Sequence, residues 1–297
     1  MITMRPTQLP APVLMLAAVF SVQFGAALAR TQFDAVGPTG AVLLRLLFGA
    51  AILLAVVRPN VRAWTREQWG AAAVLGIALA GMNSLIYLAI GIIPIGVAVT
   101  LEFTGPLVLA LAQTRRVVDG VWALLALAGV VLLGFDGGNN LPLAGIAFAL
   151  GAGAFWAAYI LSSARVGRLL PGVEGLAVAM AIGALIMLPV GAPAAVAGAL
   201  AVPVVVPVFI AVALLSSALP YALEMLALRR LSTRIFGVLS ALGPAMAALA
   251  GLLVLSQALG SREILALALV TIASIGVTTG GRRRASGGTQ EPPAPMA

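Results

Sequence analysis

Three ionisable side chains lie inside long apolar stretches of this 297-residue chain: Arg45, Glu102 and Glu224. A guanidinium and two carboxylates in such a setting can do two kinds of chemistry. Arg45 can attract a substrate carboxylate, and a Glu can carry a proton between two environments. Proline adds backbone acceptors. A proline inside a helix has no N–H and pushes away the carbonyl four residues back. Pro106 therefore frees the carbonyl of Glu102, Pro220 that of Ser216 and Pro244 that of Ser240. A substrate ammonium needs acceptors of this kind, and such breaks are tolerated where they line a cavity or a neighbour bonds them. The competing reading is a kink that improves packing.

Gln23, Asn83, Tyr87, Trp156, Tyr159 and Tyr221 complete the candidate lining. Asn and Gln in apolar helices also serve simply to bond neighbouring helices. Trp and Tyr commonly sit in interfacial belts, which suits Trp156 and Tyr159 less well because they fall well inside a run. Other Ser and Thr residues read as packing. Structural readings compete for the charges too. Arg45 and Glu102 fall at similar depth, about 10–12 Å from the outer surface at 1.5 Å per residue, so they could form a buried pair. Arg45 could instead bond helix carbonyls. Glu224 is close to Arg229 and Arg230, which suggests a salt bridge near the membrane surface as the alternative to proton coupling.

The composition excludes much else. The chain has no Cys, no His and no Lys. That removes disulfides, thiolate chemistry, Cys/His zinc sites and Ser-His-Asp hydrolysis. It also removes the P-loop lysine of an ATPase. No metal site and no cofactor are expected, and no enzyme. The formal charge of +8 is entirely arginine, dispersed over loops, which argues for membrane topology and against nucleic acid.

These residues need elements to hold them. Sixty-two per cent of residues are hydrophobic and 9% are charged; the mean hydropathy is +1.14. A soluble chain carries about 25% charged residues. Apolar runs of roughly twenty residues match the ~30 Å hydrocarbon core of a bilayer. The runs are continuous rather than alternating, so they are helices and not barrel strands. Ten spans are predicted: 11–29, 37–57, 70–92, 95–113, 118–135, 143–163, 172–190, 204–227, 234–256 and 262–280. Thr65-Arg66-Glu67-Gln68 reads as a capping box ahead of the third span. Residues 1–10 form a cytoplasmic N-terminus and 281–297 a disordered cytoplasmic tail. Arg5, the first run and Ala27-Leu28-Ala29 imitate a cleaved signal peptide, but the run is too long for one.

Arginine sets the orientation. Fourteen fall in loops on one side, and only Arg30 and Arg262 fall on the other. Both termini are therefore expected in the cytoplasm. The two halves also resemble each other. Gly105-Pro106 and Gly243-Pro244 lie 138 residues apart, and Leu88-Ala89 matches Leu226-Ala227 at the same offset. Residues 11–136 and 143–280 thus read as two five-helix units. Five is odd, so the second unit enters the membrane in the opposite sense. That is an inverted repeat, an architecture of secondary transporters.

Four segments carry a resemblance to a known family: Gly81-Met82-Asn83-Ser84-Leu85-Ile86-Tyr87-Leu88, Val99-Thr100-Leu101-Glu102-Phe103-Thr104-Gly105-Pro106, Ala152-Gly153-Ala154-Phe155-Trp156-Ala157-Ala158-Tyr159-Ile160-Leu161-Ser162 and Ala218-Leu219-Pro220-Tyr221-Ala222-Leu223-Glu224-Met225. On these the chain resembles the EamA family of the drug/metabolite transporter superfamily, over nearly its whole length. Within it, the chain resembles the subgroup that exports threonine and homoserine. The resemblance implies an all-α fold of ten transmembrane helices in two inverted halves, in a bacterial inner membrane. It also implies outward transport of small metabolites through a cavity lined by spans 1, 3, 4, 6, 8 and 9. The expected function is export of small amino acids by alternating access, coupled to protons, with membrane lipid as the surroundings. A multidrug or other metabolite exporter of the same fold is the alternative. Aromatic residues make up only 6% of the chain, and the amides of Gln23 and Asn83 lean toward a polar cargo.

Overall fold

The computed structural model describes residues 10–112, 117–134, 141–220 and 239–280, together with Leu223. Among the described residues there are helices and no strand. The helices are α1 (Ala11–Arg30), α2 (Phe33–Val57), α3 (Arg66–Ile92), α4 (Ile95–Glu102), α5 (Thr104–Ala112), α6 (Val117–Gly134), α7 (Leu143–Leu169), α8 (Glu174–Ala201), α9 (Val205–Ala213), α10 (Gly243–Leu255) and α11 (Ser261–Gly280). A π-helical turn, Leu214–Ala218, continues α9. With α4 and α5 counted as one broken span, the ten expected segments are present.

Their outward faces carry Leu, Val and Ile, among them Leu124, Leu143, Leu185 and Leu200. Such a surface belongs against hydrocarbon rather than water. The helices α1, α2, α3, α7 and α8 are each long and apolar enough to cross a membrane. Inside, small residues let backbones approach closely. A Cβ on Gly191 would lie 2.7 Å from the Thr39 carbonyl oxygen, and one on Gly40 would lie 3.0 Å from the Ala195 nitrogen. That packing joins α8 to α2 along their length. Elsewhere α3 lies against α7, α6 against α11, and α4 against both α10 and α7. The helix α1 lies against α10, α9 and the π turn.

Several boundaries differ from the sequence expectation. The second helix begins at Phe33 and not at residue 37, with a break at Gly37, whose φ of +63° suits glycine. The seventh span runs to Ala201, well past the expected end at 190, although Pro189 and Pro193 lie inside it. Packing against α2 outweighs the lost hydrogen bonds there. The fourth span is two helices, broken at Phe103, and not one. The capping box at Thr65 is present: the Thr65 Oγ1 accepts from the Gln68 N–H at 3.3 Å, and the Gln68 Oε1 accepts from the Thr65 N–H at 2.8 Å. The same Gln68 side chain donates through Nε2 to the Leu169 carbonyl at 2.9 Å, closing the end of α7.

The two arginines that the sequence sets apart from the basic side also have a place. Arg30 Nε donates to the Ile90 carbonyl at 2.9 Å, at the end of α3, and its guanidinium lies 5.2 Å from the Phe33 ring centre. Arg262 Nε donates to the Leu132 carbonyl at 2.6 Å, near the end of α6. A cation at a helix C-terminus meets both unbonded carbonyls and the negative end of the helix dipole.

Candidate functional site

Arg45 sits midway along α2 and is buried. Of the two structural readings, a pair with Glu102 or bonds to helix carbonyls, its contacts follow the second. Among the described residues the salt bridge is between Arg165 and Glu67, at 2.9 Å and exposed. Arg45 Nη1 donates to the Tyr87 hydroxyl at 3.3 Å, and Nη2 donates to the Ser216 carbonyl at 2.9 Å. The guanidinium also lies 5.6 Å from the centre of the Tyr87 ring. The Ser216 carbonyl is the one expected to be freed by Pro220. The segment is a π turn, however, in which Pro220 deprives the Leu215 carbonyl, so the Arg45 bond to Ser216 does not follow from the proline.

Tyr87 is only 1% exposed. It braces Arg45 on one side and meets the Phe33 ring on the other, 5.6 Å between centres. Asn83, one turn earlier on α3, is also fully buried. Its Nδ2 donates to the Leu79 carbonyl of its own helix at 2.8 Å, while Oδ1 has no partner among the described residues. Both residues are buried groups of α3.

Glu102 closes α4 at the break in the fourth span. It is 8% exposed, and among the described residues none donates a hydrogen bond to its carboxylate. Next in the chain, Phe103 packs edge-on against Trp156 of α7 with ring centres 5.2 Å apart. A Cβ on Gly243, at the start of α10, would lie 3.6 Å from Phe103 Cε2 and 3.8 Å from Gln23 Nε2. Gln23 of α1 is likewise 8% exposed, with no hydrogen-bond partner among the described residues. Four helices therefore meet around Phe103. Gln23 lies at this meeting point, and Glu102 adjoins Phe103 in the chain; no described residue donates a hydrogen bond to either side chain. Such groups are costly in a low-dielectric interior unless something else meets them.

The backbone next to Glu102 departs from expectation. Pro106 does free the Glu102 carbonyl, but that carbonyl faces α7. A Cβ on Gly153 would lie 2.6 Å from the Glu102 oxygen, and a Cβ on Gly105 would overlap the Gly153 carbonyl. Two glycine backbones meet here, so the break serves close packing. Pro244 is likewise not inside a helix: it lies in the first turn of α10, after a turn at Ala241–Leu242. There the missing N–H costs nothing. Ser240 precedes that turn and is half-buried. Tyr159 is half-buried, packs against the core and accepts at its carbonyl from the Ser162 hydroxyl at 3.2 Å. Tyr221 and Glu224 lie outside the described residues.

Sequence reasoning missed Ser21, Phe103 and Gly243. Ser21 Oγ donates to the Leu215 carbonyl at 2.5 Å. A lone serine in an apolar helix carries no signal that separates this role from packing. A shallow groove on the outward face of α8, floored by Pro189, Ala192, Pro193 and Ala197, is apolar and stands apart from the charged groups.

Comparison with known proteins agrees with this layout. The EamA-like transporter family matches residues 143–279. The chain is 45% identical over 276 residues to the threonine/homoserine exporter RhtA of Escherichia coli K12, covering 92% of each chain. It is also 45% identical over 281 residues to the protein of that name in Salmonella typhimurium LT2, covering 94% of each. One protein of known crystal structure superposes with a TM-score of 0.62 at 21% identity, covering 92% of this chain and 98% of that one, a likeness of fold alone. With identity of this degree running through almost the whole chain, this protein is a membrane transporter and belongs to the EamA-like transporter family.

Proposed function

We propose that the protein exports small amino acids of the threonine and homoserine kind across the bacterial inner membrane. Support for the cargo class comes from the relatives named as threonine/homoserine exporters. The mechanism is alternating access between two five-helix units, residues 11–136 and 143–280, inserted in opposite senses with both termini in the cytoplasm. Helix pairing supports the two-fold arrangement. Exchanging the halves turns the second span into the seventh, the fourth into the ninth and the fifth into the tenth. These are three of the observed partnerships, α2 with α8, α4 with α10 and α6 with α11. The packing of the third span on the sixth becomes that of the eighth on the first, which α1 makes with α9 and the π turn.

The observation that carries the reading is Glu102: a residue nine-tenths buried at the break in the fourth span, to whose carboxylate no described residue donates a hydrogen bond. A cargo ammonium or a proton is what such a group needs. In the cycle, cargo enters from the cytoplasm and its ammonium meets Glu102, beside the Gln23 amide. The units then rock, and a proton replaces the cargo on the return. Glu224 is the second carboxylate of this scheme, and Tyr159, Trp156, Tyr221 and Ser240 complete the lining. The test is flux of a panel of amino acids into or out of proteoliposomes, with and without an imposed pH gradient. Threonine movement that accelerates with the gradient in wild type and loses that acceleration in Glu102→Gln supports the proposal. Unchanged coupling in Glu102→Gln removes the carboxylate from it.

A further inference from the structure

The eighth span changes its hydrogen-bonding register halfway. In the π turn the Leu219 N–H reaches back five residues, to the Leu214 carbonyl. In an α-helix the same N–H would bond the Leu215 carbonyl, and the carbonyl left without a donor would be that of Ser216, four residues before Pro220. In the π register the residue five positions after Leu215 is Pro220 itself, so the Leu215 carbonyl loses its donor. The Ser21 hydroxyl of α1 takes that place at 2.5 Å. Ser21 has one proton to give, and it lies on this carbonyl. Arg45 Nη2 holds the next carbonyl, that of Ser216, at 2.9 Å. Gly25, one turn beyond Ser21, lets α1 come this close: a Cβ there would lie 2.9 Å from Ser216 Cβ. The Ser21 bond therefore favours the π register, in which the Leu215 carbonyl has no backbone donor. It selects between two backbone arrangements of one segment, and it does so from the other half of the protein.

We propose that Ser21 is a positioning residue for transport, holding the eighth span in its π register so that the wall it contributes between the halves is correctly turned. Loss of the π turn rotates whatever follows by about 100° and shifts it by about 1.5 Å along the axis. Single π turns within α-helices recur at functional sites, where register can change at low cost. Ser21 meets backbone and not cargo, so its loss affects every cargo alike. The inference rests on the export reading above for its transport assay, but not for its structural one.

The chain has no cysteine, so a single Leu219→Cys provides a unique nitroxide site just past the turn. Leu219 is on the outward face, 39% exposed. Two measurements are made on Ser21→Ala and Ser21→Thr in proteoliposomes. In Ser21→Ala, threonine and homoserine efflux fall together by about tenfold, the equivalent of one buried hydrogen bond of about 1.4 kcal/mol, with their ratio unchanged. In the same variant the Leu219 label loses oxygen accessibility as it turns off the lipid face. Ser21→Thr keeps the hydroxyl and stays near wild type in both. Wild-type efflux in Ser21→Ala, or a changed threonine-to-homoserine ratio, overturns the proposal. So does an unmoved label in folded Ser21→Ala. If the wild type moves neither amino acid, the export reading fails, and the label alone decides whether Ser21 sets the register.

Discussion

Gly151 and Gly153 lie two residues apart in α7, and the structure assigns them opposite responses to one added methyl group. Alanine is favoured over glycine in a helix interior by about 0.8–1 kcal/mol, and both sites share that gain. They differ in what the methyl meets. At Gly151 the nearest atom is Leu85 Cδ1 at 3.0 Å, the far end of a flexible side chain. At Gly153 it is the Glu102 carbonyl oxygen at 2.6 Å, with the Gly105 nitrogen at 3.2 Å. Ordinary contact begins at 3.4 Å, so the methyl at Gly153 lacks 0.8 Å against fixed backbone. Overpacking of that kind costs about 1–3 kcal/mol, and backbone on both sides puts it near the upper end. Gly153→Ala should therefore be less stable than Gly151→Ala by about 2–3 kcal/mol, or roughly 5–10 °C in Tm at about 2–4 °C per kcal/mol. The assay is thermal unfolding of the two purified variants in one detergent, with threonine flux measured in parallel. Flux should fall in Gly153→Ala alone, because the displaced segment carries Glu102. Equal melting temperatures would refute the close approach of α7 to the break in the fourth span.

The link between α3 and α7 separates into a strong and a weak part. Gln68→Ala removes bonds to both the Thr65 N–H and the Leu169 carbonyl, and should cost about 1–2 kcal/mol of stability on thermal unfolding. Arg165→Ala breaks an exposed ion pair and should cost less than about 0.5 kcal/mol, vanishing in high salt. At the opposite face, Arg262→Ala and Arg30→Ala should each lower stability by about 1 kcal/mol, while Arg→Lys recovers part of the loss because it restores the charge but not the fork of donors.

What the sequence revealed depended on how local the cause was. The Thr65 capping box was legible because donors and acceptors lie within four residues. Pro220 announced a freed carbonyl for the same reason, but the π turn moves it from Ser216 to Leu215; Ser216 is bonded all the same. That Arg45 would be its partner was not legible, because the two are 171 residues apart and sequence fixes the depth of Arg45 but not its neighbour. The same limit made an Arg45–Glu102 pair look reasonable. The seventh span reads as ending at 190, yet α8 continues past Pro189 and Pro193, since the smooth face of Gly191 and Gly198 against α2 decides the matter from outside the segment. Gly105-Pro106 was legible as a break, but not as a seat for Gly153. Ser21 gave no warning at all: its importance comes from a π turn on a distant span.

The unequal lengths of the helices have a mechanical consequence. At 1.5 Å per residue, α2 and α8 are about 38 and 42 Å long, against about 30 Å of hydrocarbon. They lie together along their length, so neither can lean without the other. Acyl chains of different length thus impose different tilts on this pair, one member from each half. Thin bilayers press the pair toward the membrane plane and thick ones let it stand. The lipid that surrounds the protein is in this sense a lever on the joint between its halves.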